Sequence, residues 1–321
     1  MNSYIQQGEK FLRECVFDGL AHSYDVETKQ YVKPYPEVTG YVIKYLCDNS
    51  NGAEMNNIKD AAIYLTKIQH SIGGYKTFYD KRYLYSFDTA QILNGLISAY
   101  NHRITDEPLK PAILKAGEFL LYMQRSDGAI FPIYDTYLHM RRMPQKLYPI
   151  WNGPTSGLLC KLTEVFSEMY AFTDDERYLT AKEAATNYYI KVSPIEYTHP
   201  LGYWLEGLYA GGETVYVKTY LENNVIKRIE NNGFIEYKSG LGYSYSSGEA
   251  QLAILLAKVG YVDEAVKIRD FLRNAQSKHE SGGIFQFTNH EAEVDHHVHT
   301  EINSWGTKYY CELERMLEHY D

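Results

Sequence analysis

The stretch that decides the predicted fold is IQHSIGGYKTFYDKRYLYSFDTAQILNGL, residues 68–96. An amphipathic segment ends here at a Gly-Gly-aromatic break, and a new helix-like segment opens on Phe87-Asp88-Thr89. Glycine tolerates the backbone conformations that end a helix, so the break indicates a turn between two helices. The stretch therefore predicts a junction between helices, with a carboxylate placed at the start of the second one.

The same junction recurs along the chain. Gly-aromatic breaks occur at 68–79, 123–134, 229–237 and 275–287. New helix-like segments open at 35–46, 86–100, 151–166, 199–209, 246–260 and 300–317. Polar residues near these starts are 51, 64, 47, 50 and 52 positions apart: Glu37, Asp88, Asn152, His199, Glu249 and Glu301. A repeat of roughly 50 residues indicates that one structural unit is used several times.

Each unit contains two kinds of helix. The first is apolar and rich in small residues, including Gly40, Gly95, Gly157 and Gly207, so it can be packed on most sides. The second, such as 262–276, is amphipathic, with apolar residues at i and i+3 or i+4. The helix at 3–15 lacks an inner partner and the helix at 301–319 lacks an outer one, so their pairing closes a ring. We predict a single all-α domain over 1–321, an (α/α)6 toroid of six helical hairpins in an inner and an outer ring.

Composition narrows the choice of partner. The net charge is −9 and no Lys/Arg block occurs, which argues against nucleic acid. No apolar run is long enough to cross a bilayer, and the N-terminus lacks a signal-peptide pattern, which favours a cytoplasmic location without membrane insertion. The 32 tyrosines suit ligands that are partly apolar and partly polar, such as sugars. No motif indicates a cofactor.

Candidate catalytic residues lie mostly at the helix starts. They are Asp88, His199, Glu37, Glu249, Glu301 and Glu206. In a toroid, the loops that lead into the inner helices emerge at one end, so these starts should surround one funnel. A helix N-terminus stabilises a carboxylate by about 0.3–1 kcal/mol and offers free N–H groups. Asp88 and Glu37 also fit ordinary helix-start carboxylates, and His199 fits a cap. Glu206 fits a paired carboxylate in a buried helix or an acid with a raised pKa.

Candidate substrate-binding residues are aromatic, amide or cationic. They are Trp151, Asn152, Trp204, Trp305, Tyr35, Tyr245, Arg141 and Arg142. The tryptophans would stack on sugar rings, with core packing as the alternative for Trp204 and Trp305. Arg141 and Arg142 would hold a carboxylate, sulfate or phosphate, unless they are solvated surface. Only weak candidates for metal ligands exist, His297 and His299, in a segment that also fits a rim loop.

The Gln-x-x-x-Gly-aromatic elements at Gln69–Tyr75, Gln124–Phe131 and Gln276–Phe285 resemble the repeats of (α/α)6 toroid proteins. That group includes six-hairpin glycosidases, glycan lyases and epimerases, and terpenoid cyclases and prenyltransferases. The chain also resembles prenyltransferase-repeat-like proteins of bacterial polysaccharide gene clusters, and LGYWLEGLY (201–209) is similar to part of glucuronyl C5-epimerases. The Asp-x-Asp-Asp acid of class II terpene cyclases and the zinc motifs of prenyltransferases and lanthionine cyclases are absent.

The resemblance implies an enzyme that acts on an acidic oligo- or polysaccharide, with polysaccharide biosynthesis as the expected setting. Hydrolysis would need two carboxyl groups, one of them protonated. Elimination or C5 epimerisation of a uronate would instead need a Tyr or His base and groups that stabilise an enolate. Tyr abundance, His199 and the Arg141–Arg142 pair favour the second route slightly. A non-catalytic glycan-binding accessory protein is the alternative, and a terpenoid cyclase-like transferase, which predicts an apolar cavity, ranks last.

Overall fold

The computed structural model describes residues 2–49, 55–77, 79–144, 157–193, 196–294 and 300–320. The helices in this part are α1 (Ser3–Glu14), α2 (Pro36–Asn49), α3 (Asn56–Ile68), α4 (Ser86–Asn101), α5 (Lys110–Met123), α6 (Leu162–Thr173), α7 (Glu176–Tyr189), α8 (Thr198–Ala210), α9 (Thr214–Tyr220), α10 (Ser246–Lys258), α11 (Val262–Ser277) and α12 (Ser304–Met316). A 3₁₀ turn at Leu158–Lys161 precedes α6, and a π-helical turn at Leu221–Val225 followed by a 3₁₀ turn at Ile226–Arg228 extends α9. Within these ranges, no helix combines the length and the apolar character that crossing a membrane requires.

The helices form two concentric rings. The inner helices α2, α4, α6, α8, α10 and α12 contact one another in chain order, and α12 returns to contact α2. The outer helices α3, α5, α7, α9 and α11 each pack on the inner helix before them, while α1 packs on α12 from the other end of the chain. The predicted (α/α)6 toroid, including its closure by the terminal helices, is therefore confirmed.

Two inner glycines allow close contact between neighbouring inner helices. A Cβ atom on Gly95 of α4 would lie 2.5 Å from the Gly40 carbonyl oxygen of α2. A Cβ atom on Gly40 would lie 2.4 Å from the Gln91 carbonyl oxygen. Any side chain at these points would push the two backbones apart, so the glycines are needed for packing rather than for flexibility.

The repeated glutamine joins adjacent hairpins. Gln69 Nε2 donates to the carbonyl of Gly73 in its own break (3.0 Å) and to that of Ala112 in the next outer helix, α5 (2.9 Å). Gln124 and Gln276 make the same pair of bonds, reaching α7 and α1 respectively. The glutamine of the repeated Gln-x-x-x-Gly-aromatic element thus joins one outer helix to the next by hydrogen bonds.

Short antiparallel strands, which the sequence analysis did not predict, surround one end of the barrel. They are β1 (Val16–Phe17), β2 (Leu20–Asp25), β3 (Gln30–Tyr35), β4 (Tyr83–Tyr85), β5 (Ile133–Asp135), β6 (Met140–Arg142), β7 (Ser244–Tyr245), β8 (Ile284–Phe285), β9 (Phe287–Thr288) and β10 (Glu301–Asn303). The sheets have the orders β1-β2-β10-β8 with β3 also paired to β2, β4-β5-β6, and β7-β9. Strands β3, β4, β7 and β10 run directly into α2, α4, α10 and α12, so they position the starts of these inner helices.

Candidate functional site

A cavity of about 120 Å³ lies where the inner helices begin, and we call it the mouth cavity. Its lining residues are Tyr35, Glu37, Val38, Thr77, Tyr79, Phe87, Asp88, Leu158, His199, Tyr203, Tyr245 and Trp305. Six of these were candidates from the sequence: Tyr35, Glu37, Asp88, His199, Tyr245 and Trp305. They lie at the starts of five different inner helices, α2, α4, α8, α10 and α12, and the closed ring brings them together.

Two carboxyl groups share this cavity. Glu37 is the second residue of α2 and is half-buried, whereas Asp88 is the third residue of α4 and is 6% exposed. Burial raises the pKa of Asp88 to about 7, and a hydrogen bond from its own backbone N–H opposes this rise. Burial raises the pKa of Glu37 well above its usual range, and the charge of Asp88 raises it further. Near neutral pH, Glu37 therefore keeps its proton while Asp88 ionises.

His199 is held in one tautomer. Its Nδ1 lies 2.6 Å from Gln251 Oε1 and 3.1 Å from Ser247 Oγ. Gln251 Nε2 donates to Glu206 Oε2 at 3.0 Å, which assigns the orientation of the Gln251 amide because a carboxylate oxygen that also contacts Lys161 Nζ is an acceptor. The proton of His199 is therefore on Nδ1, and Nε2 keeps its lone pair. Burial lowers the pKa of His199 to about 3, so the ring is neutral.

Aromatic rings form the walls of the mouth cavity. The His199 ring lies 4.5 Å from Tyr203 and 5.0 Å from Tyr245, measured between ring centroids. Trp305 Nε1 donates to Tyr245 Oη at 3.2 Å, and Tyr35 meets the Trp305 ring edge-on at 5.8 Å. Burial raises the pKa of Tyr35 and of Tyr245, so both phenols stay protonated. The walls thus combine apolar ring faces with hydroxyl and imidazole groups.

The described lining of the mouth cavity contains no Lys or Arg. The predicted cationic pair lies elsewhere, next to β6. Arg142 Nη1 donates to Asp135 Oδ2 at 3.2 Å, and Arg82 holds the same carboxylate at 2.7 Å. Arg141 Nη1 donates to the Tyr122 carbonyl at 2.5 Å. Both predicted anion-binding arginines therefore make contacts within the protein outside the cavity.

Glu249, a predicted catalytic residue, is hydrogen-bonded within the protein and does not reach the mouth cavity. It is the fourth residue of α10 and is fully buried; Oε1 accepts from the Ile235 N–H at 3.1 Å and Oε2 from Ser244 Oγ at 2.9 Å. Threonines at the fourth position of α2, α4 and α12 accept a backbone N–H in the same way: Thr39 from Ala21, Thr89 from Tyr75 and Thr307 from Ile284. Glu249 therefore supports the turn before its helix and does not line the cavity.

Three other candidates also lie outside the mouth cavity. Glu301 is in β10 rather than at a helix start, because α12 begins at Ser304, and it is paired with Lys33. Glu206 lies within α8, deeper in the barrel. Trp204 is 1% exposed and its Nε1 donates to the Tyr189 carbonyl at 3.0 Å, so its ring belongs to the core and cannot stack on a ligand.

Some candidates fall outside the described residues: Trp151, Asn152, His297 and His299. In the described ranges, no group of three or more His, Cys, Asp or Glu side chains is placed to hold a metal ion. Several residues of the site were not predicted from the sequence: Thr77, Tyr79, Phe87, Leu158, Tyr203 and Gln251. Tyr203 follows His199 by four residues, so both lie on the same face of the helix, and this spacing could have predicted Tyr203 as a site residue. Thr77 and Tyr79 lie in an irregular loop, so no helix or strand periodicity in the sequence could have predicted their position.

Solved structures with this architecture cover nearly the whole chain. A cellobiose 2-epimerase from Bacillus thermoamylovorans superposes with a TM-score of 0.74 at 12% identity, over 99% of this chain and 100% of that one. A D-mannose isomerase gives 0.73 at 12%, over 99% and 97%. A type II terpene cyclase, MstE from Scytonema, gives 0.60 at 15%, over 98% and 97%. At these identities the likeness shows the fold alone. No protein-family model and no curated protein matches the chain.

Proposed function

We propose that this (α/α)6 toroid is a carbohydrate-active enzyme that hydrolyses a glycosidic bond in the mouth cavity. The observation that carries the proposal is the carboxyl pair, Glu37 and Asp88, in a cavity whose described lining has no cation. Glycoside hydrolysis uses one carboxylic acid and one carboxylate and passes through a positively charged, oxocarbenium-like transition state. The protonation of the pair and the charge of the cavity both suit that reaction.

The two carboxyl groups have different tasks in this proposal. Glu37 keeps its proton near neutral pH and donates it to the oxygen of the leaving group. Asp88, with a pKa of about 7, ionises as the pH rises through neutrality and then acts either as the nucleophile or as the base that activates water. His199 Nε2 accepts a hydrogen bond from a sugar hydroxyl, and Trp305 and Tyr245 provide apolar ring faces.

The same features disfavour elimination and epimerisation of a uronate. Both reactions build negative charge next to a carboxylate, which cations or other donors must stabilise. Arg141 and Arg142 make contacts elsewhere. The lining tyrosines resist ionisation, and His199, with a pKa of about 3, is a weak base for removing a proton from carbon. A neutral glycan is therefore the substrate that we propose, rather than the acidic one that the sequence favoured.

The names of two structural relatives, an epimerase of cellobiose and an isomerase of mannose, support a sugar as the substrate class. A positively charged transition state would also suit an isoprenoid cyclase. The carboxyl, imidazole and phenol groups of the lining favour a hydroxylated ligand over a hydrocarbon.

Proton NMR in D₂O with panels of neutral and uronate-containing oligosaccharides tests the proposal. We expect new reducing-end signals with a neutral substrate, and their loss in Asp88→Asn and Glu37→Gln. Glu249→Gln is the matched control, because Glu249 is also a buried carboxyl but lies outside the cavity. A vinylic H-4 signal would identify a lyase, and loss of a ring C–H signal without cleavage an epimerase or isomerase. Line broadening without reaction would identify a glycan-binding protein.

A further inference from the structure

A second and larger cavity, of about 660 Å³, extends from the barrel interior to the ends of the inner helices. We call it the basal cavity. It is separated from the mouth cavity by a pair of tyrosines, Tyr41 on the basal side and Tyr203 on the mouth side, whose hydroxyl groups are hydrogen-bonded at 3.0 Å. Its volume falls in the range of about 300–1,000 Å³ that is typical of small-molecule sites.

Two nearly buried lysines line the basal cavity, each with 6% of its surface exposed: Lys161 and Lys308. Lys161 is fully compensated, because it pairs with Glu164 and, at 3.0 Å, with Glu206. Among the described residues, Lys308 forms an ion pair at 2.8 Å with Glu312, whose side chain is 32% exposed. Its Nζ also lies over the Tyr309 ring, 3.8 Å from the centroid, which compensates its charge less than a second carboxylate would. Burial lowers the pKa of Lys308, and the charge of Lys161 contributes to the lowering. An added anion at Lys308 would therefore relieve an unfavourable arrangement.

Three buried polar groups around the same cavity lack a hydrogen-bond partner among the described residues. They are Gln91 Nε2, Asn94 Oδ1 and Tyr309 Oη, on residues that are 1%, 4% and 1% exposed. Buried polar groups in native proteins are almost always hydrogen-bonded. Three unsatisfied groups in the lining of one cavity, two on α4 and one on α12, therefore indicate an occupant that forms hydrogen bonds.

We propose that the basal cavity is a second binding site, which takes a small hydroxylated anion of the sugar-acid class. Its carboxylate binds at Lys308, and its hydroxyl groups bond to Gln91, Asn94 and Tyr309. The proposal concerns binding alone and does not depend on the reaction in the mouth cavity.

A hydrogen-bonded chain connects the two cavities. Lys161 Nζ contacts Glu206 Oε2 at 3.0 Å, Gln251 Nε2 donates to the same oxygen at 3.0 Å, and Gln251 Oε1 accepts from His199 at 2.6 Å. An anion bound beside Lys161 and Lys308 changes the field on Glu206 and, through Gln251, on the imidazole of His199. The ¹⁵N resonances of His199, in the mouth cavity, should therefore change when an anion binds in the basal cavity.

Calorimetric titration with sodium D-gluconate, at constant ionic strength in chloride, tests the proposal. D-glucose is the neutral probe. We expect saturable gluconate binding that raises Tm, with affinity lowered about tenfold or more in Lys308→Met and in Gln91→Leu. Lys10→Met is the matched control, because Lys10 on α1 has a side chain that is 70% exposed. Glu37→Gln, in the mouth cavity, should leave the gluconate affinity unchanged, and saturation should shift the ¹⁵N resonances of His199.

Measuring Tm of the unliganded variants separates a loss of gluconate binding from a folding defect. Gln91→Leu removes the buried Nε2 group, which has no partner among the described residues, so we expect it to raise Tm of the unliganded protein while it weakens gluconate binding. Three results would overturn the proposal: no saturable gluconate binding, equal affinity for glucose, or unchanged gluconate affinity in both Lys308→Met and Gln91→Leu. The last result, with a lower Tm in both variants, would mean that these side chains and water only maintain the barrel.

Discussion

The two ends of the barrel differ in their charged side chains. At the mouth, where the inner helices begin, Glu37 and Asp88 line the cavity and the described lining contains no cation. At the base, the cavity is more than five times as large, about 660 Å³ against 120 Å³, and cations outnumber carboxylates in its lining. The cations are Lys44, Lys161, Lys258, Lys308 and Arg315, and the carboxylates are Glu164, Glu206 and Glu312. Helix N-termini carry partial positive charge and C-termini partial negative charge, so the parallel inner helices favour carboxylates at the mouth and lysines at the base.

The carboxyl groups of the mouth need a functional explanation, because their pKa values are shifted against the field of the helices. Helix N-termini lower the pKa of nearby carboxyl groups, yet the pKa values of Glu37 and Asp88 are raised. Burial and the proximity of the two groups therefore outweigh the helix dipoles. A carboxyl pair that is kept partly protonated against its local field is typical of an acid–base site.

The largest predicted effect concerns the mouth. Asp88→Asn should lower kcat/KM by about 10²–10⁴-fold, because the neutral amide can neither attack nor activate water. Steady-state kinetics on a substrate identified by the NMR panel measure the loss. Glu249→Gln should retain most of the activity. If the two variants lose equal activity, the carboxyl groups of the mouth have no special role.

The second-largest effect is the pH dependence of activity, in which kcat/KM should change about tenfold per pH unit on each limb of the profile. Activity should rise through pH 7 as Asp88 ionises and fall at higher pH as Glu37 loses its proton. These apparent pKa values belong to the coupled pair. Rates measured from pH 4 to pH 10 check the profile, and a rising limb near pH 4 would contradict the raised pKa of Asp88.

A smaller effect on activity is expected at Gln251, which lies between the two cavities and bonds to both His199 and Glu206. Gln251→Leu removes the acceptor that holds His199 in the Nδ1–H tautomer. We expect about tenfold lower kcat/KM, a changed ¹⁵N spectrum of His199, and partial recovery in Gln251→Glu, which keeps an acceptor oxygen. An unchanged tautomer in Gln251→Leu would show that Ser247, at 3.1 Å from Nδ1, is sufficient.

The smallest effect on activity, but a clear one on stability, is expected at Glu249. Burial raises its pKa to about 8, whereas an unfolded Glu titrates near about 4.3. The folded state therefore binds more protons between these values, and stability falls as the pH rises from about 4.3 to about 8. Glu249→Gln removes this dependence, so it should be more stable than the wild type at pH 8, by on the order of a few kcal/mol, and nearly equal at pH 4. Urea unfolding at the two pH values measures the difference.

The repeat and the ring could be predicted because their signals are local. Gln69, Gly73 and their counterparts recur at the ends of outer helices, and each makes the same contacts with the next hairpin. Glycines such as Gly40 and Gly95 indicated inner helices that are covered on most sides, and their backbones are indeed in contact. Strands of two to six residues were missed, because such lengths are too short for a reliable alternation of apolar and polar residues.

The sequence by itself thus determined the toroid and, to within one residue, the starts of α2, α4, α8 and α10. It did not determine the starts of α6, at Leu162, and α12, at Ser304, or which carboxyl groups face the cavity. The helix rotates by about 100° per residue, so a shift of one or two positions sends a side chain in another direction. Glu37 and Asp88, at the second and third positions of their helices, face the mouth, whereas Glu249, at the fourth position, faces the preceding turn. Only the tertiary structure decides this, because burial, partners and pKa depend on which neighbours the closed ring brings into contact.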